Sequence, residues 1–242
     1  MAVMRQSAET SRWPHLVWAA TGVVGTGVFF LVAFSPNLPM YGDSLNDWGR
    51  WAATHQSDAR HEVAILFLAY LLYMVFGIYV ATLVRRSDTW TPLLVRVATV
   101  AIGVKFAIEM MQIAVLNLPT EAASQDLTRS MAQLGTDLSV YSLVPFAVFL
   151  LAVGASALIS RAVPVWLAWF TSTVGAIHAF AMFLGLTGPP PLGPILVAFG
   201  LVWFASIPAW PLVTAVCLLV VGIRDFKPGT EAESAVAGAQ PA

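Results

Sequence analysis

Apolar and polar residues separate along this chain into long blocks rather than alternating within short ones. Six apolar stretches stand out: Trp13 to Phe34, Glu62 to Val84, Val95 to Leu118, Leu138 to Ile159, Pro164 to Leu186 and Ile195 to Ile223. Each is about as long as the ~20 residues that a helix needs to cross ~30 Å of hydrocarbon. Pro14 and Pro92 stand at the starts of the first and third stretches, where a missing N–H costs a helix nothing. The pattern predicts an all-α, polytopic membrane protein: a six-transmembrane-helix bundle over 13–224, with a polar N-terminal segment 1–12. The tail 225–242 is rich in Gly, Ala, Ser, Glu and Pro, lacks periodicity, and is expected to be disordered.

Two polar segments between the spans also read as helical. SLNDWGRWAATHQSDAR (44–60) and TEAASQDLTRSMAQLGTDL (120–138) are expected as amphipathic interfacial helices, with Trp48 and Trp51 anchoring the first at headgroup level. The first span carries Gly22, Gly25, Thr26 and Gly27 on one side, which suits close helix contact. In the second, Ala69, Tyr73, Gly77 and Ala81 recur every four residues as a ridge of small and aromatic side chains. The short SRAV turn makes spans four and five antiparallel neighbours. The sixth span holds Pro208 and Pro211 in SIPAWPL, and a helix break or kink is expected between Phe204 and Pro211.

Composition agrees with the pattern. Hydrophobic residues make up 58% of the 242 residues and charged residues only 10%, against ~25% charged in soluble domains. The mean hydropathy is +0.77. A net charge of −1 leaves no basic stripe for nucleic acid, so the bilayer is the expected partner. The single cysteine, Cys217, excludes an internal disulfide and any cysteine-based metal cluster. The first apolar run is too long for a signal-peptide core of ~7–15 residues, so it is read as an uncleaved span.

Charge also gives an orientation. With six spans, Arg5, Arg12, Arg85, Arg86, Arg96, Arg161, Arg224 and Lys227 fall on one side, and Arg50, Arg60 and Arg129 on the other. The positive-inside rule puts both termini in the cytoplasm, in a multi-pass cell (inner) membrane protein with the two interfacial helices outside.

Chemistry concentrates in the third span. Lys105, Glu109 and Gln112 lie at i, i+4 and i+7 and form one stripe on one helix face. Charges at mid-membrane are costly and default to functional candidates. Lys105 is 13 residues past Pro92 and His178 is 14 past Pro164, so parallel spans three and five carry them at one level. A proton or ligand site would use Glu109 as carrier or acceptor, Lys105 as counter-ion and His178 as a titrating neighbour. The competing reading is an intrahelical ion pair that offsets its own burial. Asp58, His61 and Glu62 could share a helix face, but a solvated polar face accounts for them and no metal is expected. Bis-histidine haem needs paired intramembrane histidines, and His15 and His61 lie at span ends, so no cofactor is expected. No nucleotide loop, nucleophile elbow or Cys-x-x-Cys occurs.

KFAIEMMQIAVLNL in span three, SRAVPVWLAWFTSTVG at the turn into span five and the terminal LLVVGIRDF together resemble an uncharacterised bacterial family of six-span membrane proteins. The resemblance implies a fold and no activity. Three classes remain: a protein that binds or moves a small lipophilic or ionic ligand, an integral-membrane enzyme using Glu109 or His178 as acid and base, or a non-catalytic subunit whose polar stripe joins helices. The missing catalytic motifs favour the first over the second. The sequence sets no oligomeric state.

Overall fold

The computed structural model describes residues 13–33, 56–85, 89–117, 125–187 and 193–220. Six helices account for nearly all of them: α1 (Trp13–Ala33), α2 (Gln56–Leu83), α3 (Thr91–Asn117), α4 (Gln125–Ser160), α5 (Val165–Thr187) and α6 (Gly193–Val220). One helix lies on each apolar stretch. Four of them contain segments long and apolar enough to cross a membrane: 64–83 in α2, 133–160 in α4, 165–184 in α5 and 199–220 in α6. In α1 the apolar segment Leu16–Phe29 is shorter, and α3 carries Arg96, Lys105 and Glu109. These helices fit a membrane-embedded protein.

Each helix packs on its sequence neighbours, and α6 closes back onto α1. Aromatic side chains fill the middle. Trp210 of α6 is fully buried; its ring meets Phe149 of α4 at 5.4 Å and Phe76 and Tyr73 of α2 at 5.9 Å between centroids. Its indole Nε1–H donates to Thr171 Oγ1 of α5 at 3.1 Å, so the interior tryptophan is satisfied at its polar atom. The ridge of α2 faces this interior, with Ala69, Gly77 and Ala81 buried.

Small residues set the closest crossings. A Cβ on Gly22 would meet the Phe76 ring at 2.9–3.0 Å, and one on Gly25 would meet Leu72 Cβ at 3.0 Å, so the small side of α1 seats α2. Gly27 faces open space and takes no part. Between α4 and α5, Gly154 lies against backbone: a Cβ there would be 3.0 Å from Ser172 N and 3.1 Å from Ala168 O. The turn joining these two helices is capped at Arg161, which adopts a left-handed φ of 52° and donates its N–H to Ala157 O at 2.9 Å.

The structure corrects two expectations. Residues 125–138 form no separate interfacial helix; they are the first turns of the 36-residue α4, which places Pro145 well inside it. Likewise Gln56–Arg60 open α2, while the rest of the first interfacial segment lies outside the described residues. Ending one helix and starting another would leave a set of terminal N–H and C=O groups to be paired, and no proline interrupts either stretch. Of the kink or short break expected in α6, the break is absent: the helix runs unbroken through Pro208 and Pro211. Pro211 can donate no N–H to the carbonyl of Ile207, four residues earlier. That carbonyl instead accepts the Tyr73 hydroxyl of α2 at 3.3 Å. A neighbouring helix has replaced the lost intrahelical bond. The N-terminal segment 1–12 and the tail 225–242 lie outside the described residues.

Candidate functional site

On α3, one helical turn brings Lys105 Nζ to 2.6 Å from Glu109 Oε1. The two side chains are only 12% and 6% exposed, so this is a buried pair. Ser142 of α4 donates its hydroxyl to the same Oε1 at 2.8 Å. Both bonds therefore converge on one carboxylate oxygen, and Oε2 accepts none among the described residues. The ammonium also lies 5.7 Å from the ring centre of Tyr70 on α2 and 5.1 Å from that of Phe146 on α4. Two aromatic rings and a carboxylate thus surround the charge.

A shallow recess, half open to the outside and with a free volume of only about 10 Å³, lies beside the pair between α2 and α3. Tyr70, Tyr73 and Met74 line it from α2, and Ile102, Lys105, Phe106 and Glu109 from α3. Phe106, one of its walls, packs edge to face on Phe67 with ring centres 5.9 Å apart. The recess is lined by apolar and aromatic surface and is far smaller than the ~300–1,000 Å³ of a preformed ligand pocket, so a ligand would enter only if these side chains move apart.

His178 does not join this recess. It is fully buried on α5, and its ring meets Phe146 edge-on at 4.7 Å. Lys105 approaches the same Phe146 ring. The two residues thus approach one and the same α4 phenylalanine from α3 and α5. His178 Nδ1–H donates to Val174 O of its own helix at 2.9 Å. The Gln112 side chain lies outside the described residues, as do those of Asp58, His61 and Glu62. Pro208 and Pro211 are both buried; they bear on the site indirectly, because Pro211 frees the carbonyl that holds Tyr73, a recess wall.

Sequence reasoning missed Ser142, Tyr70 and Phe146. Ser142 left one trace, as a hydroxyl near the start of a long apolar run, in SVYSLVPF beside Ser139 and Tyr141. Tyr70 and Phe146 left none, since an aromatic residue in a span reads equally well as lipid-facing or interior. Known proteins add nothing to the geometry: no family model, curated protein or solved structure matches this chain.

Proposed function

We propose that this chain is a six-span integral membrane protein that holds the polar end of a small lipophilic molecule in the α2–α3 recess. One observation carries the reading: a buried Lys–Glu pair forms part of the wall of a recess whose other walls are apolar and aromatic. The two groups are turned to each other, so binding would require their side chains to rotate and bring an ammonium N–H and Glu109 Oε2 to the ligand. The pair is neutral overall, so it suits a hydroxyl or carbonyl head better than a bare ion. The positive-inside count supports cytoplasmic termini, with α1 and α3 counted as spans beside the four strongly apolar helices. Likeness to the uncharacterised six-span family is part of the same proposal and adds no activity.

Titration of the full-length protein with a long-chain alcohol, followed by native mass spectrometry, tests the reading. Wild type is expected to retain the alcohol, and Met74→Trp, which fills the recess, to lose it. Equal retention by both would refute the assignment.

A second reading has its own observation. The Ser142–Glu109 bond ties α4 to α3, as expected if the stripe is interhelical glue in a non-catalytic subunit. Under that reading the recess binds nothing, and Glu109→Gln, which keeps an acceptor for Ser142, is less destabilising than Glu109→Leu, which removes it.

A further inference from the structure

Where α5 meets α6, two buried polar atoms face the same problem. His178 spends its Nδ1–H on the Val174 carbonyl, which can only accept. In the neutral ring Nε2 is then an acceptor, and it has no partner among the described residues. Trp203 of α6 packs its indole against this imidazole, with ring centres 6.5 Å apart and planes inclined by 66°. Its Nε1–H, which can only donate, is also buried and without a partner. Buried polar atoms are almost always hydrogen-bonded, and each orphan costs about 1–3 kcal/mol.

The two orphans are complementary. One lacks a donor and the other lacks an acceptor, on rings that pack together. A carbonyl could serve only Trp203, and a cation only His178. A hydroxyl serves both at once, donating to His178 Nε2 and accepting from Trp203 Nε1–H. Two hydrogen bonds through one oxygen can join nitrogens up to about 5.8 Å apart, and the ring contact brings the two side chains together. We propose that His178 and Trp203 form a binding site for a single hydroxyl oxygen, that of a water molecule or of an alcohol, between α5 and α6.

The site is separate from the α2–α3 recess, since neither His178 nor Trp203 is among the residues that line it. It stands or falls independently of what the recess binds. It also assigns the one intramembrane histidine a fixed tautomer and an occupant, in place of a role as neighbour to Glu109.

A high-resolution structure of the full-length wild-type protein in lipid, with and without a long-chain alcohol, provides the test. An oxygen-sized peak is expected within about 3 Å of both nitrogens. An isolated peak present in both samples identifies water. Density that continues into a chain in the alcohol-treated sample identifies an alcohol head. A direct Trp203 Nε1–H···Nε2 His178 bond, or no density between the two nitrogens, overturns the proposal. Trp203→Phe removes the donor and is expected to weaken or abolish the peak, whereas an unchanged peak would assign the oxygen to other groups.

Discussion

The Tyr73 hydroxyl of α2 lies 3.3 Å from the carbonyl oxygen of Ile207 on α6, the carbonyl that Pro211 leaves without its helical donor. Two residues 134 positions apart thereby repair one proline. The same tyrosine lines the recess beside Lys105 and Glu109 and touches Trp210 and Phe146. The backbone fault of α6 and the candidate site on α3 are joined through this one side chain.

This relationship predicts a conditional cost. Tyr73→Phe is expected to destabilise the protein by about 1 kcal/mol, in the range found for hydrogen bonds between membrane helices. Pro211→Ala restores an N–H for Ile207, so Tyr73→Phe in that background should cost clearly less. Thermal unfolding of the four proteins in detergent measures the difference. An identical cost in both backgrounds would show that Tyr73 acts through packing alone.

The α4–α5 crossing supplies a steric test. Gly154→Ala would drive a methyl group against Ser172 Oγ and against backbone at Ser172 and Ala168. Backbone cannot rotate away, so a loss of about 1–3 kcal/mol is expected. Ser172→Ala should not rescue it. Gly27→Ala, on a face with nothing within 4 Å, should stay within about 0.5 kcal/mol of wild type.

Removing one charge should hurt more than removing both. Lys105→Met strands a buried Glu109 and is expected to cost about 3–5 kcal/mol. Glu109→Gln in addition should recover much of that loss, because the second charge disappears and Ser142 keeps an acceptor. A chemical-denaturation series on the two single variants and the double variant decides it. Strictly additive losses would mean that the two residues do not act as a pair.

Much of this arrangement was legible beforehand, for physical reasons. Hydrocarbon imposes a length on each apolar run, so one helix per run could be placed from sequence. Helix rise fixes spacing along each helix, so Lys105 and Glu109 could be set one turn apart. Rotation about each helix axis is not fixed by either constraint. Hence the sequence did not place Phe146 against Lys105 and His178, or Ser142 against Glu109. The prolines of α6 misled because a local rule assigns the damage while the repair comes from Tyr73, far away in the chain. The start of α4 was misplaced for a related reason: residues 125–138 have the same helical propensity whether the helix lies along a surface or runs on into a span.

The most direct test of the proposed function is photolabelling of the full-length protein in lipid with a long-chain alcohol carrying a photoreactive group near its hydroxyl. The expected adducts lie on the recess walls, at Tyr70, Tyr73 or Met74 of α2 and at Ile102 or Phe106 of α3, and they diminish in Met74→Trp. Labelling confined to outward apolar residues such as Leu16, Val100 and Trp169, with no change in that variant, would contradict the assignment of the recess as a ligand site.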